Sequence, residues 1–296
     1  MKNKYLFQGI FYTSLASIFW GLAQPLYFNQ IKFIPAIEIV SHRTIWSFFF
    51  LFIIIFSTGK IHELLDIFRK RLYILFLSVS GILITCNWTG FIIAVNINRL
   101  QDASMGYYIS PIISIFLGYI FFKEKISILK ILSLLLMLLA IIILLIGLKT
   151  VPYLAIFIGL TWAFYGLIRK KVKVSAAIGL LYESGFISIF AIIYLLYLYC
   201  TGDFFFLNYS KSSSLFLFFT GAVTIFPLFF FNLGIKNIPL GLAGVIFYLV
   251  PTFHFLTSIL ILKENLSNYK LISFIIIWIA VTIFIYDKLM ENKKLT

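Results

Sequence analysis

Long apolar runs alternate with short polar or charged breaks along the whole chain. A helix that crosses a hydrocarbon core of about 30 Å needs roughly 20 apolar residues. Cutting at polar, Pro and Gly clusters leaves ten candidate spans: 5–28, 36–58, 72–96, 102–122, 128–147, 151–168, 175–199, 213–235, 240–262 and 270–287. The stretch 59–71, with Lys60, His62, Glu63, Asp66, Arg69, Lys70 and Arg71, is too charged to span. It is expected to lie on the membrane surface as an amphipathic segment. The first run follows Lys2 and Lys4, as the core of a signal peptide would. Extending from Tyr5 to Phe28, it exceeds a signal h-region and reads as a retained span.

Composition agrees. Hydrophobic residues make up 62% of the chain and charged ones 11%, with a mean hydropathy of +1.07. A soluble domain carries about 25% charged residues, because its surface faces water. The 35 phenylalanines read as the codon bias of an AT-rich genome rather than as an aromatic binding box. The net charge of +14 invites a nucleic-acid partner, but the charges fall in short clusters between apolar runs, as the positive-inside rule requires. With ten spans, the side holding both termini carries 17 of the 24 Lys and Arg, the other side 6, and Arg43 lies within a span. That asymmetry places both termini in the cytoplasm of a multi-pass protein of the bacterial inner membrane. Cys86 and Cys200 lie in different apolar runs and indicate no disulfide framework.

An internal duplication organises the chain. At a constant offset of 140, Leu100 matches Leu240, Ala103 matches Ala243, Tyr108 matches Tyr248 and Pro111 matches Pro251. Lys123–Glu124 then match Lys263–Glu264, Ser127 matches Ser267, Lys130 matches Lys270, and Ser133 matches Ser273. Upstream, Gly81 matches Gly221. Apolar coincidences are cheap in such a sequence; the recurring Pro-to-Lys-Glu spacing is not. The unit is five spans, 1–147 and 148–296, and an odd count forces the second copy to insert upside down. Inverted repeats of this kind recur in secondary transporters, with the solute site near the midplane where the halves meet. The expected fold is all-α and integral to the membrane, with ten transmembrane helices as two inverted five-helix repeats.

Ionisable residues within spans are costly and therefore functional candidates. Span 2 carries Glu38, His42 and Arg43, span 7 carries Glu183, and span 9 carries His254. At about 1.5 Å per residue, Arg43 and Glu183 each sit about 12 Å deep from opposite faces. In a core of about 30 Å they are thus about 6 Å apart in depth. They are also repeat-equivalent, so they are expected close together on a cavity wall. The alternative is a structural ion pair tethering span 2 to span 7. Glu38 and His42 are one helical turn apart and could share a proton, which allows proton coupling. The alternative for Glu38 is a solvated position at the outer surface, and for His254 a hydrogen-bonded packing role.

Pro111 and Pro251 each remove a backbone hydrogen bond and bend their spans, which is tolerated beside a cavity or under packing neighbours. Tyr108 and Tyr248, three residues earlier, offer a ring face and a hydroxyl to a solute. Asn87, Trp88, Asn96 and Asn232 could add further contacts, although interhelical bonding is the common role of such amides. Trp20–Gly21 and Tyr165–Gly166 hold similar places in spans 1 and 6, where Gly permits close helix approach. Lys123–Glu124 and Lys263–Glu264 read as gate or cap groups. HExxH, nucleotide-binding glycine loops, Ser/His/Asp sets and metal clusters do not occur. The chain therefore does not read as an enzyme and calls for no cofactor or metal.

Taken in order, these residues resemble the drug/metabolite transporter superfamily, and within it the EamA-domain, RarD-like proteins. The likeness rests on Trp20–Gly21, Glu38 with His42–Arg43, Asn87–Trp88, Gly106 to Pro111, Glu124, Tyr165–Gly166 with Arg169–Lys170, and Glu183. Thr224 with Pro227–Leu228, Tyr248 with Pro251–Thr252, and Glu264 complete it. The resemblance implies ten helices in two inverted halves, and a permease of the kind linked by name to chloramphenicol sensitivity. The expected activity is secondary transport of a small metabolite or drug-like solute by alternating access, with the lipid bilayer and that solute as partners. An importer is the alternative within the class, and a non-transporting receptor or scaffold the alternative outside it. Substrate, direction and oligomeric state are not legible.

Overall fold

A computed structural model of the protein describes residues 2–123, 127–148, 151–235, 237–238 and 246–293. Among them every regular element is helical. α1 (Lys2–Ile18) runs through a π-helical segment, π1 (Phe19–Ala23), into α2 (Gln24–Asn29). Then come α3 (Ala36–Ser57), α4 (Ile61–Phe68), α5 (Arg71–Asn96), α6 (Leu100–Phe122), α7 (Ile128–Leu148) and α8 (Tyr153–Lys171). α9 (Ala176–Thr201), α10 (Lys211–Ile235), α11 (Leu249–Leu256), a second π segment, π2 (Thr257–Ile261), and α12 (Asn268–Lys293) follow.

Seven of these helices are long and apolar enough to cross a bilayer, and two shorter apolar helices, Tyr153–Arg169 and Leu249–Ile261, accompany them. α6 adds 23 further, mostly apolar residues. Large side chains such as Phe7, Ile146, Tyr199 and Leu260 are more than two-thirds exposed. A surface that apolar is stable only against lipid, where helices satisfy their own backbone groups. The protein is a multi-pass membrane protein. The charged segment 59–71 contains α4, which buries Ile67 and leaves Leu65 and Phe68 more than half exposed.

The duplication is visible in the backbone. α3 and α9 begin at residues 36 and 176, α5 and α10 at 71 and 211, and α7 and α12 at 128 and 268. Lys123 and Lys263 both adopt φ of 53°, in the left-handed region that ends helices. The residues group into two compact units that each draw on both halves of the chain. One comprises Met1–Pro25, Asn98–Ala163 and Phe230–Thr296, the other Leu26–Ile97 and Phe164–Phe229.

In the first unit, α7 and α12 pack side by side and run in opposite directions. Lys130 Nζ lies 3.7 Å from the Asp287 carboxylate at one end. Tyr269 occupies the space beside Gly147 at the other. Between them, Ser133 Oγ donates to the Ala280 carbonyl at 2.7 Å and Ser273 Oγ donates to the Ala140 carbonyl at 3.0 Å. Both residues of each bond are repeat-equivalent to those of the other, so the contact is reciprocal. In the second unit α3 and α9 are likewise antiparallel. Phe48 fills the space at Gly185, and Glu38 reaches the turn that follows α9. Equivalent glycines repeat the theme, since Gly81 abuts the Glu183 backbone and Gly221 that of Trp46. Matching helices that face each other head to tail are what an inverted repeat demands.

Candidate functional site

Buried polar groups gather in each unit. In the second, Arg43 is 2% exposed, its guanidinium 4.2 Å from the Trp88 ring centroid and 5.3 Å from that of Phe28. Aromatic faces attract a desolvated cation by about 2 kcal/mol, here one ring from α2 and one from α5. Asn87, preceding Trp88, is fully buried.

Glu183 is fully buried on α9 and is held from two neighbouring helices. Ser80 Oγ on α5 donates to Oε1 at 2.5 Å, and the Tyr165 hydroxyl on α8 donates to Oε2 at 3.3 Å. Its ion-pair partner is Arg169, also on α8, at 3.4 Å. The guanidinium rests where Gly179 has no Cβ, and any larger residue there would expel it. The carboxylate of Glu183 thus tethers α9 to α8, where the alternative reading of Arg43 and Glu183 had an ion pair between spans 2 and 7. Depth and repeat position could not distinguish Arg43 from Arg169, since neither fixes the direction in which a long side chain turns.

Glu38 is fully buried rather than solvated. Its Oε1 accepts the Phe205 N–H at 2.9 Å and the Phe206 N–H at 3.3 Å, both in the turn between α9 and α10. That turn folds back over α3 through its phenylalanines. The His42 ring lies 4.7 Å from Phe206 and is stacked on Phe204 at 6.0 Å.

In the first unit the repeat-equivalent Tyr108 and Tyr248 stack on each other, with centroids 6.3 Å apart and planes at 16°. The Tyr108 hydroxyl meets Thr252 Oγ1 at 2.5 Å and accepts the Trp278 indole N–H at 2.8 Å. Ser104 Oγ donates to the Pro251 carbonyl at 2.6 Å. Pro251 occupies the third position of α11, just after a turn at Tyr248 interrupts the helical path. Pro111 lies inside α6, and its side chain is outside the described residues, as are Glu124 and the side chain of Asn232.

His254 on α11 and Thr257 on π2 both reach carbonyls of π1. In π1 the Gln24 N–H bonds back to Phe19, and Pro25, next in line, has no N–H to offer Trp20. The Trp20 carbonyl accepts His254 Nε2 instead, at 3.0 Å, and the Gly21 carbonyl lies 3.5 Å from Thr257 Oγ1. The bond holds α11 against π1. Gly21 does permit close approach: a Cβ there would sit 2.5 Å from Phe253 Cβ and 2.8 Å from the Val250 carbonyl. Gly166 has open space around it and permits none. Gly21→Val is therefore expected to lower stability by about 1–3 kcal/mol through overpacking, read by denaturant unfolding in micelles.

Glu264 caps α6, its two oxygens accepting Leu100 N–H at 2.6 Å and Gln101 N–H at 3.1 Å. Burial pushes its carboxyl above the ordinary range, and the two amides and Lys270 bring it partly back down. Asp102 nearby is bridged to Arg99 and lies 3.6 Å from Lys270. Arg169, Ser80, Phe28, Thr252 and Trp278 had no assigned role in the sequence. Of these, Arg169 and Thr252 had carried a signal, through the resemblance. No group of His, Cys, Asp and Glu among the described residues is arranged to hold a metal.

Apolar, lipid-facing helices with charge buried among them define an integral membrane protein. The chain matches the EamA-like transporter family over residues 7–146 and again over 150–286, and it belongs to that family. It is 35% identical to an uncharacterized transporter, YojE, of Bacillus subtilis, over 95% of this chain and 94% of that one. It is 33% identical to the protein RarD of Escherichia coli, over 99% of each chain. A solved crystal structure, 14% identical, shares the fold with a TM-score of 0.60 over 93% of this chain and 96% of the other.

Proposed function

We propose that the protein is a secondary carrier that moves a small metabolite or drug-like solute across the bacterial inner membrane by alternating access. The observation that carries this reading is the antiparallel contact between repeat-equivalent elements, seen in the reciprocal Ser133 and Ser273 bonds and the Tyr108–Tyr248 stack. Two similar halves inserted in opposite senses can exchange shapes, which is the simplest route to two equally accessible states. Family membership supports transport rather than catalysis. The Lys and Arg asymmetry supports cytoplasmic termini.

Arg43, Trp88, Asn87, Glu183, Tyr108, Tyr248 and His254 are the residues proposed to bear on the solute path. Of these, Arg43 in its aromatic clasp is the first to test. Counterflow of radiolabelled amino acids, nucleosides and chloramphenicol into proteoliposomes is expected to reveal at least one exchanging solute. Arg43→Gln is expected to reduce that exchange by tenfold or more. A broad panel with no exchange, and none of whose members raises the melting temperature of the purified protein, would favour the scaffold instead.

A further inference from the structure

The carboxyl groups of Glu38 and Glu264 both bind main-chain amides, but in different ways. Glu264 divides its two donors between its two oxygens and has Lys270 nearby. That suits a charged carboxylate. Glu38 places both amides on Oε1, while Oε2 is buried and makes no hydrogen bond. Main-chain amides are what offsets the burial of Glu38. An ionised carboxylate so enclosed is costly even after relaxation, and two main-chain hydrogen bonds offset only part of that cost. The division of labour between the oxygens is that of a neutral acid. Oε1 accepts both amides as an acid's carbonyl would, which leaves Oε2 as the oxygen open to a proton.

We infer that closure of the α9–α10 turn over α3 takes up one proton at Glu38, and that reopening the turn releases it to water. The inference rests on the carrier reading for its use in transport, but the proton site itself stands on this geometry. The proton comes from water, adds to Oε2 and leaves Oε1 bonded to the Phe205 and Phe206 amides. His42, one turn further along α3, is 3% exposed and has an Nε2 without a hydrogen-bond partner, so it is placed as the next station for that proton. The other groups around the site are few. Tyr194 on α9 is within electrostatic reach of Glu38, with Tyr197 and Asp203 beside it. α5 brings the Asn96 amide, which donates to the Ile34 carbonyl at 3.0 Å. Lys32 and Lys211 at the flanking helix ends are exposed. The turn itself offers Glu38 only main-chain amides.

The direction of the pH effect follows. A site protonated in the closed form and ionised in the open form favours closure at low pH. As pH rises and the open form ionises first, closure weakens by up to tenfold per pH unit, one proton's worth, and the effect levels off once the closed form is ionised too. Hydrogen exchange of the Phe205 and Phe206 amides, followed by mass spectrometry on full-length protein in nanodiscs, reads this without any transported solute. Protection factors corrected for intrinsic exchange are expected to be high at pH 5.5 and to fall at least tenfold by pH 9. In Glu38→Gln, a permanently neutral analogue, they are expected to stay high throughout. Protection that is flat with pH in the wild type overturns the proposal. So does protection that drops on acidification, which would assign the titration to His42 in its phenylalanine stack. If Glu38→Gln does not fold, the wild-type series still decides. Failure of counterflow with an intact pH response would count against the carrier and not against the proton site.

Discussion

Replacing Arg169 by Ala is expected to lower the protein's stability by about 3–5 kcal/mol, because it leaves Glu183 buried without its cation. Glu183 has no exposed surface, so water cannot replace the guanidinium. The bonds from Ser80 and Tyr165 remain, yet hydroxyl donors do not neutralise a charge. The double variant Arg169→Ala with Glu183→Gln is expected to be more stable than Arg169→Ala alone, since the amide carries no charge to strand. Unfolding in mixed micelles, monitored by Trp fluorescence, gives both numbers. A loss below about 1 kcal/mol is what a solvated pair would show, and it would mean that the pair is not enclosed as described.

Trp88→Ala is expected to produce a similar loss, about 3–5 kcal/mol, as is usual when a large buried aromatic is truncated. Here two contributions coincide. The indole is 8% exposed and packs in the second unit, and its face lies 4.2 Å from the Arg43 guanidinium. Trp88→Phe keeps an aromatic face and should recover most of the loss. A double-mutant cycle with Arg43→Met separates the two effects, and a coupling of about 1–2 kcal/mol is expected for the cation over the ring. A coupling near zero would show that Trp88 acts as volume alone.

These two clusters also mark where reading the chain succeeded and where it stopped. Span positions were legible because a bilayer imposes a length and an apolar composition on each helix, and α3, α5, α7 and α9 begin and end within a few residues of expectation. The inverted duplication was legible because Lys123–Glu124 and Lys263–Glu264 preserve spacing that composition cannot produce by chance. Glu38, His42, Arg43 and Glu183 stood out because charge inside a span is expensive.

What each charged group touches was not legible. Arg169 lies near the C-terminal end of α8, in a basic cluster that reads as an orientation signal alone, and only folding brings it to 3.4 Å from Glu183. Glu38 sits in the first turn of α3, a position that water often reaches, and only the return of the α9–α10 turn encloses it. The bond from His254 to Trp20 depends on π1 and on Pro25, which leave one carbonyl without its helical donor, a local irregularity that periodicity does not encode.

The sequence by itself determined that the chain crosses the membrane repeatedly and that its second half repeats the pattern of the first. Both follow from one-dimensional constraints of length, charge and repeat spacing. Tertiary structure alone decided which helix answers each buried charge. A long side chain on a helix can turn toward several neighbours, and packing selects the one that satisfies it.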